Sequence, residues 1–326
     1  MREQRAVRNC IQGAGKVKAM REAYGEALVE LGESNKRVVA LDADLSSSTK
    51  TNLFAKRFPS RFFNAGIAEQ DMLGTAAGLA AAGKIPFAST FAIFATGRAW
   101  EQLRNAICYA KLNVKVVATH AGLSVGKDGA THQALEDLAV TRVIPNLRVL
   151  APCDATETSA MVYAMADYEG PVYARLPRIA SPVLLDECKF EFGKWRLMRN
   201  GSDLTIVACG LMVNEALKAA DGLARKAGAS VRVLNASSIK PLDSRALKKA
   251  AAETGAFVTA EEHSVLGGLG SAVSEFVSSE SPCVVKRVGV NDSFGESGEP
   301  AELFRKYGLN AQAITRAGLK ALKQRD

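Results

Sequence analysis

Short apolar runs alternate with longer segments of helical period along almost the whole chain. RVVALDAD (37–44), RFFNAG (61–66), PFASTFA (86–92), VKVVATHA (114–121), LRVLAP (147–152) and VYARLP (172–177) predict strands. Between them, 68–82, 97–110, 133–143 and 155–167 predict helices. The first of these is rich in Ala and Gly, which suits a helix packed closely against a neighbouring backbone. A Pro- and charge-containing segment, 177–196, interrupts the alternation and predicts a linker. The pattern then restarts. LTIVACG (204–210), VRVLNAS (231–237), AFVTAEE (256–262) and VVKRVGV (284–290) predict strands. Helices are expected to about 227, from Asp243 and from about 268, with two short ones at the C-terminus. Strands alternating with helices predict parallel βαβ units. The expected fold is therefore α/β, with two domains, each a mostly parallel sheet flanked by helices. The expected division is a basic N-terminal arm (1–18), a first domain (19–180), a linker (181–200) and a second domain (201–326).

Length and composition fit that division. A chain of 326 residues is long for one domain and comfortable for two, and 48% hydrophobic with 23% charged is ordinary globular usage. The net charge of +8 is concentrated at one end: residues 1–21 hold six Lys or Arg against one Glu. A charged tail is not a basic face, so no nucleic-acid partner is expected. No apolar stretch is long enough to span a membrane, so none is expected as a partner either. The N-terminal segment lacks the apolar core of a secretory signal. Six scattered cysteines without a C-x-x-C pair predict neither a disulfide framework nor a zinc site. A cytoplasmic location is expected.

In open α/β sheets ligands sit beyond the carboxyl ends of the strands. In the first half those ends carry Asp42 and Asp44, Asn64 through Glu69, Thr90, His120 and Arg175. The second half offers Glu261, Glu262 and His263 ahead of GGLG (267–270). Several familiar motifs fail. GLSVGKD (122–128) is one residue short of a P-loop and has Asp128 where Ser or Thr would hold magnesium. GGLGSAV lacks the third glycine of a dinucleotide fingerprint, and no H-E-x-x-H occurs.

Taken singly, the polar residues have undemanding readings. Glu69 suits the first turn of a helix, where the dipole favours an acid. Phe91 and Phe94 suit a core, His120 a satisfied buried histidine, Arg175 a surface ion pair, and His263 a structural or interface position. Their joint order says more. GIAEQDM (66–72), PFASTFAIF (86–94), THAGLSVGKDGATHQALEDL (119–138) and YARLPR (173–178), followed by VLNASSIKPLD (233–243) and EEHSVLGGLGSAV (261–273), resemble the transketolase family over roughly residues 20–320. The first domain would then be the pyrimidine-binding domain and the second the transketolase C-terminal domain, in an enzyme using thiamine diphosphate.

The resemblance implies roles at matching positions. Glu69 is similar to the glutamate that hydrogen-bonds the ring nitrogen of the cofactor's aminopyrimidine and so promotes proton removal at the thiazolium carbon. Phe94 matches the aromatic stacked on the pyrimidine, Phe91 its companion, and Asp44 a residue near the thiazolium. His120 and His132 match ligands of the donor sugar's hydroxyls, and Asp128 a residue reading a further hydroxyl. His132, with Glu69, is expected to be catalytic. Ser48 and Arg175 match positions that bind the sugar phosphate. The chain departs from the family at Lys127, where an acid is usual, and at Gly97, where an aromatic is usual. Arg178 makes an R-L-P-R pattern more reminiscent of deoxyxylulose-phosphate synthase.

The family holds the diphosphate through Mg²⁺ or Ca²⁺ on a Gly-Asp-Gly…Asn motif, and no Gly-Asp-Gly occurs in the chain. No metal ligand is therefore expected here. The resemblance implies the C-terminal subunit of a split transketolase. Its partner would be an N-terminal subunit carrying the diphosphate and metal site, in an α2β2 assembly acting on sugar phosphates. Two rival readings are the β subunit of a 2-oxo acid dehydrogenase first component, which would not need the paired histidines, and a non-catalytic paralogue, which would not need Glu69.

Overall fold

The computed structural model describes residues 15–325. Residues 1–14, most of the expected basic arm, lie outside the described residues. Two sheets organise the chain, as the alternation of apolar runs predicts. The first is seven-stranded, in the order β12-β6-β7-β5-β4-β2-β3. Its members are β2 (Val38–Asp42), β3 (Phe62–Asn64), β4 (Ile85–Phe91), β5 (Lys115–Thr119), β6 (Arg148–Leu150), β7 (Val172–Arg175) and β12 (Ser238–Lys240). All neighbours are parallel except β12 against β6. The second is five-stranded, in the order β14-β13-β10-β11-β9. It contains β10 (Leu204–Ala208), β11 (Val231–Asn235), β13 (Ala256–Ser264), β14 (Val284–Val290) and the antiparallel edge strand β9 (Arg196–Arg199). The central strands β2, β4, β5, β10 and β11 are buried at every position. That burial is why they read as near-continuous apolar runs rather than as alternation.

The helices close over these sheets by the usual means. In Met212–Ala227 the buried positions Met212, Val213, Ala216, Ala219, Ala220 and Leu223 form one stripe, and the helix ends on Gly228 in the left-handed region. Asp154 and Asp243 cap the following helices by accepting the N–H of Glu157 and of Ala246.

Five features differ from the pattern-based expectation. The segment around 177–196 contains β8 (Ala180–Pro182), paired antiparallel with β1 (Val17–Ala19). Strand β12, from the C-terminal half, completes the edge of the first sheet, and one apolar cluster joins Val39 and Leu41 of the first half to Phe257 and Leu269 of the second. The stretch 97–110 is largely π-helical (Phe94–Arg98 and Leu103–Tyr109). In 133–143 only Asp137–Arg142 is helical, preceded by a tight 3₁₀ turn at Leu123–Asp128. Helix Glu69–Ala81 buries Met72, Leu73, Ala76 and Ala77, but its Gly74 and Gly78 face open space rather than a neighbouring backbone.

Candidate active site

The chain leaves β2 for β3 on one side and returns to β4 on the other, so the order of the first sheet reverses between β2 and β4. A crevice at such a switch point is where an open α/β sheet takes its ligand. The carboxyl ends of β2, β4 and β5 deliver Asp42–Asp44, Phe91 and Thr119–His120 to it. Asp42 is buried and holds the following turn: its carboxylate accepts from the Leu45 N–H (2.6 Å), the Thr49 hydroxyl (2.7 Å) and the Thr51 hydroxyl (2.9 Å). Burial pushes the Asp42 carboxyl up, and those hydrogen bonds oppose the shift. Asp44, exposed and at positive φ, donates its N–H to Asn64 Oδ1 (3.0 Å). The same oxygen accepts from the Gly66 N–H (3.0 Å), which ties Asp44 to the turn that precedes Glu69.

Glu69 opens its helix with a side chain only 1% exposed. Arg98 Nη1, on the exposed side, stands 3.5 Å from Glu69 Oε2, and its guanidinium lies over the Phe94 ring, 5.2 Å from the centroid. Phe91 and Phe94 are nearly parallel (11°), with centroids 5.9 Å apart. His120 stacks on Phe91 at 3.9 Å, and His132 stands edge-on to Phe94 at 5.5 Å. Six side chains from four separate segments thus form one continuous cluster. His120 has φ +58°, a backbone strain commonly stored at functional sites. Its Nδ1 pairs with the Thr119 hydroxyl at 2.9 Å. Burial first, and then the charges of Arg21 and Arg178, push its pKa down to about 3, so the imidazole is neutral at physiological pH.

Ser48, half-buried, receives Arg21 Nη1 on its carbonyl (2.8 Å). Asp128 is exposed and pairs with Arg178 Nη1 at 3.4 Å. Burial and the neighbouring Arg178 charge lower the Arg21 pKa, and only Glu22 opposes them. Two guanidinium groups that repel one another beside neutral His120 form a pocket edge suited to an anion. Arg175 does not belong to this edge. It is 7% exposed, its Nε lies 3.0 Å from Asp137 Oδ2, and its Nη1 donates to the Glu262 carbonyl (3.0 Å). The second domain covers the end of β7, so the guanidinium expected to meet phosphate is instead committed inside the seam between domains. Arg178, three residues on, was signalled by the R-L-P-R pattern; Arg21 carries no sequence signal of its own. His263 is fully buried, with Nδ1 2.7 Å from the Ser264 carbonyl and Nε2 accepting from the Ala139 N–H (3.4 Å).

Comparison with known proteins gives this arrangement a lineage. The family described as transketolase, pyrimidine binding domain, matches residues 16–183, and that described as transketolase, C-terminal domain, matches 193–314. The chain belongs to the transketolase family. A putative transketolase C-terminal section of Methanocaldococcus jannaschii is 48% identical, over 95% of this chain and 98% of that one. A 6-deoxy-6-sulfo-D-fructose transketolase subunit of a Clostridium species is 41% identical, over 94% and 95%. Among solved structures, a split gene transketolase described as an inactive β4 tetramer superposes with a TM-score of 0.89 at 56% identity, covering 94% of this chain and 99% of that one. The chain is thus the C-terminal part of a split transketolase, and its pyrimidine-binding domain implies dependence on thiamine diphosphate.

The cluster fits that group. A buried carboxylate contacted only at the long limit by Arg98 lies beside two parallel aromatic rings, which suits a flat, nitrogen-containing ring. Among the described residues no group of three or more His, Cys, Asp or Glu side chains is placed to hold a metal ion.

Proposed function

We propose that this chain is one subunit of a ketol-transferring enzyme that moves a two-carbon unit from a ketose phosphate to an aldose phosphate. The observation that carries the reading is the buried Glu69 carboxylate beside the parallel Phe91–Phe94 pair, with His120 and His132 against the same rings. When bound, thiamine diphosphate supplies the nucleophilic carbon that carries the two-carbon unit. Glu69 would hold the pyrimidine ring nitrogen and share a proton with it; Phe94 and Phe91 would hold the ring, with Asp44 near the thiazolium. His120, neutral, and His132 hold the donor's hydroxyls, and His132 moves a proton at a hydroxyl oxygen. Asp128 reads a further hydroxyl. The terminal phosphate meets Ser48, Arg21 and Arg178, the last two taking the part first expected of Arg175. A related subunit is named for a sulfonated sugar, which fits an anion-binding edge of this kind.

The diphosphate and its Mg²⁺ or Ca²⁺ are assigned to a second, N-terminal chain, in an α2β2 assembly in the cytoplasm. Support comes from the surface beside Glu69, where Ile67 is 78% exposed, Phe63 is also exposed, and the Gly74–Gly78 face of the helix is open. The similar β4 tetramer is described as inactive, in keeping with a β chain that needs its partner. The test is co-expression of this chain with the adjacent-function chain that carries Gly-Asp-Gly…Asn, followed by assay of ketol transfer between sugar phosphates. Transfer only by the pair supports the reading. A pair that instead decarboxylates pyruvate and acetylates a lipoyl domain would overturn it.

A further inference from the structure

The loop Gly122–His132 carries Asp128 and His132 on a short 3₁₀ turn, Leu123–Asp128, that is kinked at Gly126 and followed by glycine-containing turns. Three of its glycines, Gly122, Gly126 and Gly129, have φ between +77° and +80°. Its own backbone contributes the Gly129 N–H to Gly126 O (3.1 Å) and the His132 N–H to Gly129 O (3.0 Å). A loop of this kind does not by itself keep a side chain within the fraction of an ångström that a sugar-binding site needs.

Besides the Gly122 N–H on the Ala134 carbonyl (2.9 Å) and Arg178 on the Val125 carbonyl, its supports come from the second domain. Glu262, at the carboxyl end of β13 and 5% exposed, accepts the Ser124 N–H on Oε1 at 2.6 Å. The approach is so close that a Cβ on Gly122 would fall on the Glu262 carboxylate. Further along, the Ser297 hydroxyl donates to the Lys127 carbonyl (2.7 Å), and Lys127 pairs with Glu299 (2.7 Å). Pro300 and the Gly298 carbonyl back Gly126, and the Gln133 amide joins the Gly126 carbonyl (3.2 Å) to that of Glu296 (2.9 Å). Behind Glu262 lie Arg175 and Asp137, with the Tyr173 hydroxyl on Asp137 at 2.8 Å. Burial pushes the Glu262 carboxyl up to about 7 against the pull of Arg175, so the group is costly to keep there. Its direct partner is Ser124, at the head of the loop.

We infer that Glu262 is a positioning residue for the donor sugar. Through the Ser124 N–H it holds in register the loop that presents Asp128 and His132. The C-terminal domain, which places no side chain in the described cluster, thereby sets donor affinity and geometry. The inference rests on the reading of Asp128 and His132 given above.

The test uses the assembled two-chain enzyme and compares Glu262→Ala and Glu262→Gln with His132→Ala as reference. The readouts are donor KM, kcat, the dissociation constant for thiamine diphosphate, and amide hydrogen exchange over 122–132. Loss of a buried hydrogen-bond acceptor that leaves the Ser124 N–H unpaired predicts about a tenfold or greater rise in donor KM and in exchange for Glu262→Ala. Cofactor affinity should not change. Glu262→Gln keeps an acceptor and should lie between Glu262→Ala and wild type, so it decides alone if Glu262→Ala does not assemble. Wild-type KM and exchange in both Glu262 variants would overturn the inference. So would a Glu262→Ala enzyme that loses stability and cofactor together while its donor KM is unchanged. A His132→Ala enzyme with wild-type donor KM would overturn the reading of the loop itself, whatever Glu262 does.

Discussion

The two sheets end alike in sequence and differently in space. The carboxyl ends of β2, β4 and β5 present Asp42, Asp44, Phe91 and His120; those of β11 and β13 present Asn235, Glu261, Glu262 and His263. In the first sheet the polar ends surround the crevice around Glu69 and the Phe91–Phe94 pair. In the second they turn to partners within the fold. Asn235 donates to both oxygens of Glu157 (3.0 and 2.8 Å), Glu261 accepts the Leu269 and Gly270 N–H groups at the start of a helix (2.7 and 2.8 Å), and Glu262 takes Ser124. The same topology thus makes a crevice at one sheet and a docking seam at the other. A polar residue at a strand end becomes a site only when its neighbours leave its hydrogen-bonding capacity open.

That contrast can be broken from either side. The largest effect is expected at the open end. Glu69→Ala should lower ketol transfer by about 10²–10⁴-fold, the usual worth of a positioned proton-transferring group, with an unchanged thermal midpoint. At the closed end the opposite pattern is expected. Asn235→Ala removes the amide nitrogen that bridges both oxygens of buried Glu157 and should cost about 2 kcal/mol in urea unfolding, with kcat and KM of the folded enzyme unchanged. A loss of catalysis without loss of stability in Asn235→Ala would erase the distinction.

Arg178→Ala sharpens it further. Losing a charge-assisted contact to an anion should raise KM about tenfold for a phosphorylated donor and leave KM for its dephosphorylated counterpart unchanged. Arg175→Met, by contrast, should show itself in stability rather than in that ratio. The smallest effect lies at the amino end of a central strand of the first sheet. Lys115 is buried at the start of β5 and donates to the carbonyls of Tyr168 (2.6 Å) and Gly170 (2.7 Å); burial pushes its pKa down to about 7 from 10.5. Between those values the unfolded chain binds the extra proton, so Lys115 makes stability rise with pH from about 7 to about 10.5. Lys115→Met should flatten that part of the stability curve, measured by urea unfolding at a series of pH values, without altering turnover.

Much of the fold could be read from the chain because buried parallel strands are apolar at every position, as in VVALD and LTIVA. Strands β9 and β12 could not, since each is short and acquires its meaning only from a partner far along the chain, Val233–Asn235 for β9 and Val149–Leu150 for β12. The stretch 133–143 reads as a longer helix than it is because apolar spacing does not reveal the glycine-directed turns before it. Glu69, Phe91, Phe94, His120 and His132 were all named from sequence, and the structure gathers them side by side. Arg175 and Arg178 show where that reading stops. Both are arginines near the end of one strand, and only the placement of the second domain determines which one is covered.

The most direct measurement follows exchange of the thiazolium C2 proton of thiamine diphosphate into deuterated water, by NMR, in the assembled enzyme with wild-type, Glu69→Ala or Asn235→Ala chains. The account predicts exchange slowed by about 10²-fold or more in Glu69→Ala and unchanged in Asn235→Ala. Wild-type exchange in the Glu69→Ala enzyme, with cofactor bound, would contradict it.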